Sequence, residues 1–492
     1  MLRGSAWMIA LRWAIRLTGL VSTIVLARLL TPKDFGVVAI AMIVVGMFEM
    51  LSATGQGVAL IRHSKPTREH YDTAWTISLV IGICIGAAIF LVAPLTNLYF
   101  HDERTVLVMQ CLALRAVLSA CENIGTIDFR RDLMFNRFFL YNFCAKILSF
   151  SVTITLAIVL RDYWALVAGI LCGQLARTVL SYVMHPYRPR ISFAKVSEIW
   201  SFSIWVFIRS IGGYFVNQVD AIAVGGATGT SSMGRYTVAK DLAASPTDEI
   251  VVPMVSVLFP VMARFQNDSE QLRELYLRSL TWALIIGAST GIGVWLVAPD
   301  IVPLILGQKW VDIIPLVGWL ALTSGIGTLN SCAYQILDVL GHPRLGARLQ
   351  WLRVLVLAAA IFPTVYLTHD LVMLVMVRLV ATIVLIPPLL FVVGRRCDVT
   401  IGNYFAAFWR AFAAGGVMAV VVLSLNQALG FSGPARLGLD VVVGAIAYIG
   451  TLLALWNISG RPQTAERDVI TLINHGLAML GAIRARVLNA VQ

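Results

Sequence analysis

Apolar residues along this chain are gathered into long blocks, and short polar segments separate the blocks. Fourteen blocks are long enough to cross a bilayer as α-helices, since a crossing takes about 20 residues. No connecting segment is long enough to form a soluble domain. The pattern therefore predicts an all-α polytopic membrane protein. The predicted spans are residues 6–28, 36–60, 73–97, 106–124, 139–160, 163–184, 202–227, 236–260, 279–300, 311–337, 350–368, 371–393, 405–429 and 438–457.

Two parts of the chain carry the same pattern. The sequence Leu-Val-Ala-Pro at 91–94 returns 205 residues later at 296–299, and Gly36 corresponds to Gly234 at a spacing of 198. Each copy holds six spans, an even number, so both copies enter the membrane with the same orientation. We therefore predict two six-helix repeats related by a pseudo-two-fold axis along the membrane normal. The predicted divisions are 1–190 and 191–396 for the halves, 397–458 for helices 13 and 14, and 459–492 for a cytoplasmic tail.

Basic residues are unevenly distributed between the two sides of the membrane. When Arg28, Arg353 and Arg410 are counted with the loops that they adjoin, each of the six even-numbered loops holds three lysines or arginines, whereas the seven odd-numbered loops hold seven in total. Because cytoplasmic loops carry the excess of basic residues, both termini are predicted to be cytoplasmic. The net charge of +12 is mostly this orientation signal. Since the basic residues are spread from loop to loop, nucleic-acid binding is not expected.

Composition excludes several other classes of protein. With 59% apolar and 13% charged residues, the chain has too little polar surface for a soluble protein. The seven cysteines contain no CxxC spacing, and no phosphate-binding loop or zinc motif is present, so we predict no disulfide, metal site or cofactor. After Trp456, apolar residues recur at helical spacing among arginines, which predicts an amphipathic helix on the inner surface or, alternatively, a frayed tail. Gly-xxx-Gly spacings predict close helix packing at Gly82 and Gly86, Gly169 and Gly173, and Gly287 and Gly291.

Charged residues inside the predicted spans are the candidate functional site, because a charge in a bilayer is costly unless it faces water or a partner. A cationic group is predicted to bind an anionic head group, best a phosphate or pyrophosphate, through charge-assisted hydrogen bonds. Carboxylates would balance these charges or bind a coupling ion, and the alternative for each charge is a buried ion pair that holds helices together. No catalytic residue is predicted. The cations are Arg12, Arg16, Arg209 and Lys240, and the carboxylates are Glu49, Asp220, Asp248 and Glu249.

Three segments carry a resemblance to a known family: Ala27–Gly36 with its continuation Gly55–Ile61, Phe129–Leu133, and Leu337–Arg344. They resemble Wzx-type polysaccharide flippases of the multidrug/oligosaccharidyl-lipid/polysaccharide (MOP) superfamily, nearest the exporters of colanic-acid-like or succinoglycan-like polymers. The resemblance implies a MATE-like fold with two extra C-terminal helices in the bacterial inner membrane. It also implies that the protein moves undecaprenyl-pyrophosphate-linked oligosaccharide between leaflets by ion- or potential-coupled alternating access.

The same resemblance bears on the site and on the partners. It assigns the family's cationic cavity to Arg12, Arg16, Arg209 and Lys240, and it matches Asp220 to an acidic position that is common in helix 7. The implied partners are the lipid-linked glycan, membrane lipid, and a polymerase and glycosyltransferases of the same pathway.

Two other functions stay open at this point. A MATE-like multidrug or cation antiporter predicts a cavity dominated by carboxylates, whereas the first span offers the arginines Arg12 and Arg16, which favour an anionic cargo. A membrane polysaccharide polymerase or ligase typically carries catalytic residues on a large external loop, and every external loop here is short. We therefore expect a secondary transporter and not an enzyme.

Overall fold

Every regular element in the described part of the chain is helical. The structure, a computed structural model, describes residues 14–15, 18–19, 21–52, 60, 67–132, 134–196, 204–429, 433–461 and 465–466. Two predicted site residues, Arg12 and Arg16, and most of the predicted amphipathic tail lie outside these residues. The predicted all-α class is confirmed.

The helices follow the predicted spans closely. Ile204–Arg264 is continuous except at Gly229, where φ of 78° and ψ of 179° break it into the two parts that we label α7 and α8. In chain order the described helices of nine or more residues are α1 (21–29), α2 (Pro32–Ser52), α3 (Arg68–Phe100), α4 (Glu103–Ala120), α5 (Phe135–Leu160), α6 (Trp164–Met184), α7 (204–228), α8 (230–264), α9 (Ser269–Ile305), α10 (Ile314–Val339), α11 (Pro343–Thr368), α12 (Leu371–Gly394), α13 (Ile401–Leu429) and α14 (Pro434–Ile458). Shorter helical turns lie at Ile124–Ile127, Asp128–Arg131 and Gln308–Ile313.

Length and composition independently identify membrane-crossing helices. Ten helices within the described ranges are long and apolar enough to cross, or eleven when Glu103–Ala120 and Ile124–Arg131, which meet at 70°, are counted as one span. One of the ten contains both α7 and α8. The chain is therefore a multi-pass membrane protein. The difference from the predicted topology is at the seventh loop, where the predicted connection of several residues is reduced to Gly229.

Contacts between residues divide the chain into two compact units. The first contains residues up to Val238 together with Ile305–Trp310 and Gln350–Leu374, and the second contains Ala239–Leu304, Val311–Leu349 and the residues from Val375 onward. These units group residues by contact, whereas the predicted halves group them by repeat. The division of the repeat at residue 190 stays a prediction.

Close helix packing occurs at the predicted glycines in both units. In the first unit, a Cβ added at Gly86 of α3 would lie 3.2 Å from Ala113 O of α4. In the second, a Cβ at Gly291 of α9 would lie 2.9 Å from Ala321 O of α10. The two glycines are 205 positions apart, the spacing of the Leu-Val-Ala-Pro repeat. The two alanines are 208 apart, and each is the centre of a Leu-Ala-Leu sequence, at 112–114 and at 320–322. The repeat is therefore present in the packing of these helix pairs as well as in the sequence.

A glycine also fixes the turn between α10 and α11. Gly341 has φ of 72°, a left-handed conformation that favours glycine, and His342 N donates to Leu337 O at 2.9 Å. Pro343 then begins α11. The residues of the third family-like segment, Leu337–Arg344, thus form a helix end, a turn and a helix start.

Candidate functional site

The first family-like segment, Ala27–Gly36, builds the start of α2. Thr31 N donates to Asp34 Oδ2 at 2.8 Å, and Asp34 N approaches Thr31 Oγ1 at 3.4 Å, so side chain and backbone cap the helix reciprocally. Pro32 occupies the first position of the helix, where a missing N–H costs nothing. This end of α2 is predicted to face the outside of the cell.

A segment from much later in the chain, Ile305–Trp310, closes the end of α1 within the first unit. Trp310 is fully buried, and its Nε1 donates to Ala27 O at 2.9 Å. Lys309 Nζ donates to Arg28 O at 3.1 Å, where a cation is favourable because helix carbonyls end there. The Trp310 ring also meets Phe35 edge-to-face at 5.7 Å. The segment therefore holds α1 and α2 together at this end.

Two equivalent glycines meet where α2 and α8 cross in the first unit. A Cβ added at Gly36 would lie 1.7 Å from Thr230 O, and a Cβ added at Gly234 would lie 1.7 Å from Pro32 O. Thr230 follows Pro32 by 198 positions, and Gly234 follows Gly36 by the same 198, which is the spacing of the repeat in this region. The contact is thus reciprocal, as expected when a local two-fold axis passes between equivalent helices. It brings the backbones of the two repeats together at the end of the bundle that is predicted to face outward.

An ion pair lies deeper between α2 and α4, also within the first unit. Glu49 Oε2 is 3.1 Å from Arg115 Nη1, and each side chain is 26% exposed. Tyr214 of α7 donates a hydrogen bond to Ile43 O one to two turns before Glu49, so α7 packs against α2 near the pair. The sequence placed Glu49 in a span but did not identify Arg115 as its partner. The pairing could have been suggested by one signal in the sequence, which is that both charges lie near the middle of their predicted spans.

Asp220 is fully buried in the first unit. Tyr236 donates a hydrogen bond to its carboxylate, and the two residues belong to α7 and α8 on either side of Gly229. The break at Gly229 lets the two helices lie side by side, so the Asp220–Tyr236 bond joins them across the turn. In this conformation Asp220 is closed to solvent, and its predicted role in ion coupling stays a prediction.

The other predicted site residues are divided between the units. Arg209 lies half-buried on α7 in the first unit, which also contains Glu49 on α2 and the fully buried Asp220. On α8 in the second unit, Lys240 and Glu249 are half-buried and Asp248 is exposed. Because Arg12 and Arg16 are outside the described residues, the grouping of four cations in one cavity stays a prediction. Within the described ranges, no three or more His, Cys, Asp or Glu side chains are placed to hold a metal ion.

Comparison with known proteins bears directly on this arrangement. A family model with the description "Polysaccharide biosynthesis protein" matches residues 25–315, which is more than half of the chain. This chain belongs to the polysaccharide biosynthesis protein family. The match covers the second half of α1 and all of α2 to α9, and therefore includes the Gly36–Gly234 crossing, the Glu49–Arg115 pair and the Asp220–Tyr236 bond.

Two relatives are similar to this chain over part of their length. The lipopolysaccharide biosynthesis protein WzxC of Escherichia coli (strain K12) is 26% identical over 321 residues, which are 64% of each chain. The succinoglycan biosynthesis transport protein ExoT of Rhizobium meliloti (strain 1021) is 25% identical over 330 residues, which are 66% of each chain. The matched regions thus span slightly less than two thirds of both relatives.

Solved structures show the fold. The lipid II flippase MurJ matches with a TM-score of 0.74 at 11% identity and covers 94% of this chain and 100% of its own. An inward-facing multidrug resistance MATE transporter of the MOP superfamily matches with a TM-score of 0.58 at 16% identity and covers 78% of this chain and 96% of its own. The predicted MOP fold is confirmed.

Proposed function

We propose that this protein is a flippase that moves undecaprenyl-pyrophosphate-linked oligosaccharide across the bacterial inner membrane. The observation that carries the proposal is the family match over residues 25–315 on a chain with the MOP fold. Relatives named for lipopolysaccharide and succinoglycan biosynthesis support an exopolysaccharide or lipopolysaccharide repeat unit as cargo. We place both termini in the cytoplasm, and we propose the pathway's glycosyltransferases and polymerase as functional partners.

The geometry supports transport by alternating access. Gly36 and Gly234 bring two repeat-related helices into contact at one end, and such a contact can be made or broken when the repeats rock against each other. The α3–α4 and α9–α10 pairs are closely packed, since their backbones meet at glycines, and each pair can therefore move as a rigid body. The coupling would come from an ion gradient or from the membrane potential.

The charges favour an anionic cargo over the cationic drugs of a MATE-like antiporter. Glu49, a carboxylate that a drug site would need, is paired with Arg115. Arg209 is half-buried in the same unit, and a guanidinium binds phosphate oxygens in bidentate geometry. Drug-stimulated ion exchange in vesicles would support the antiporter instead. An enzymatic polymerase or ligase is not proposed, because ExoT, MurJ and the MATE protein are named as a transport protein, a flippase and a transporter.

Removing the predicted phosphate-binding cations tests the proposal. We expect Arg16→Ala and Arg209→Ala to abolish complementation in a flippase-deficient strain while both proteins still insert in the membrane. Arg264→Ala, at an exposed position near the end of α8, is the matched control and is expected to export normally. Polymer yield and membrane protein level are the measurements. Normal export by both variants would remove the phosphate-binding assignment.

The role of Asp220 in coupling is tested separately. If its carboxylate exchanges a proton during transport, Asp220→Asn is expected to make transport in vesicles independent of the pH gradient. Tyr236→Phe removes the hydrogen bond but keeps the carboxylate, so it is expected to retain the dependence. The same loss of dependence in both variants would instead assign Asp220 to holding α7 and α8 together.

A further inference from the structure

A cavity of about 550 Å³ lies within the second unit between α9, α13 and α14. Its size is within the range of pockets that hold small molecules. Almost all of its lining is apolar, with Trp282 and Ile286 from α9, Met418 from α13 and Ile449 from α14 among the contributors. Along α14 the lining extends from residue 440 to residue 452, about 18 Å at the rise of a helix. Its length and apolar lining suit an extended hydrocarbon chain.

A buried carboxylate lies at one end of this cavity. Asp440 lines it and is 2% exposed, and neither of its carboxylate oxygens has a hydrogen-bond partner among the described residues. A buried acceptor without a donor destabilises a protein, so such a group normally has a hydrogen-bond partner, either from the protein or from a bound molecule. The carboxylate is therefore a specific feature in an otherwise apolar cavity, and it calls for a ligand that donates hydrogen bonds.

The charges around Asp440 indicate what kind of donor fits. Arg436 Nε is 3.7 Å from Asp440 Oδ2, but it is also 3.5 Å from Asp300 Oδ2 and 3.2 Å from Asn426 Oδ1. Two carboxylates thus share one guanidinium at this site. A cationic donor beside Asp440 would reduce the competition of the two carboxylates for this guanidinium, which has five N–H groups and can bind a phosphate as well as a carboxylate.

We propose that this cavity binds an aminophospholipid such as phosphatidylethanolamine. The lipid enters from the leaflet at the Pro434 end of α14. The ammonium group donates to Asp440, the lipid phosphate lies near Arg436, and one acyl chain occupies the apolar cavity. A choline head group has no N–H to donate, and a glycerol head group offers Asp440 no cation. The site therefore selects the lipid by its head group, while the chain supplies most of the buried apolar area.

Native mass spectrometry of the purified full chain tests the site. Phosphatidylethanolamine, phosphatidylcholine and phosphatidylglycerol with identical acyl chains are added at equal concentration. We expect the wild type to retain the ethanolamine lipid about tenfold more than the choline lipid, the effect of a charge-assisted hydrogen bond. Asp440→Asn is expected to lower retention of the ethanolamine lipid to the level of the choline lipid. Equal retention of both lipids by the wild type would overturn the proposal.

A pair of tryptophan variants tests the cavity without changing a charge, and it carries the test if Asp440→Asn does not fold. Ala445→Trp fills the cavity and is expected to remove the ethanolamine lipid, whereas Val442→Trp, at an exposed position of α14 outside the lining, is expected to keep it. Retention by Ala445→Trp contradicts the site. Binding of undecaprenyl phosphate that Ala445→Trp blocks would overturn it too, because the cavity would then hold the cargo's chain. Neither measurement depends on transport activity.

Discussion

Replacing Gly36 with alanine is expected to abolish polymer export in a flippase-deficient strain, and Gly234→Ala is expected to do the same. A Cβ at either position would lie 1.7 Å from a backbone oxygen of the other helix, Thr230 O or Pro32 O. A backbone atom cannot move aside by a rotamer change, so α2 and α8 must separate. Overpacking of this kind costs about 1–3 kcal/mol, and here it falls on a contact that, on the proposed function, is made and broken as the repeats rock against each other. Polymer in the medium, normalised to membrane protein level, is the measurement.

Gly327→Ala is the matched control for these two variants. Gly327 also lies within a helix, but a Cβ there meets no atom within 4 Å, so export is expected to remain normal. The double variant Gly36→Ala/Gly234→Ala is expected to lose less stability than the two single losses added together, because the first Cβ already separates the helices. Additive losses would mean that the two glycines do not share one contact, and normal export by both single variants would mean that transport does not need it.

The helix packing could largely be predicted from the sequence where small residues mark it. The spacing of 205 made Gly86 and Gly291 equivalent, and the structure gives them equivalent carbonyl neighbours, Ala113 and Ala321. Backbones can approach closely only where side chains are absent, so this type of contact leaves a mark in the sequence. The all-α class followed in the same way from the length of the apolar blocks.

Contacts between distant segments could not be predicted by the same reasoning. A repeat shows that Gly36 and Gly234 are equivalent, but not that an axis passes between them and brings them into contact. Trp310 gave no periodic signal for its bond to Ala27, because it lies in a short connection. The loop predicted before Arg235 was too long, since a Thr-Gly-Thr-Ser-Ser run is typical of loops. In the structure only Gly229 leaves the helical conformation, because the run continues as the first turn of α8.

The candidate site was predictable as a set of charges but not as a set of partners. Hydropathy places Glu49 and Arg115 within spans, yet it does not give the rotation of α2 relative to α4, on which their 3.1 Å contact depends. For Asp220, the sequence left open a coupling role and a structural role. In the structure Asp220 is fully buried and bonded to Tyr236, so its structural role would be to join α7 to α8.

Arg115→Gln is expected to abolish export, whereas Glu49→Gln is expected to reduce it only partly. On the proposed function, the cargo's phosphate replaces Glu49 as the partner of Arg115 during transport, so the arginine is required and the carboxylate is its resting counter-ion. Each single change also leaves one charge unpaired. Because both side chains are 26% exposed, we expect a stability cost of about 1–3 kcal/mol, below the cost of breaking a fully buried pair. Export and thermal stability in detergent are measured on the same preparations.

The exchanged pair Glu49→Arg/Arg115→Glu separates the two roles of this contact. An ion pair that only holds α2 and α4 together has no preferred direction, so the exchange would restore both stability and export. For a phosphate-binding arginine the direction matters, because the exchange places a carboxylate where the phosphate must bind. We therefore expect the exchanged protein to recover most of its stability and none of its export. Recovery of export would assign the pair to structure alone.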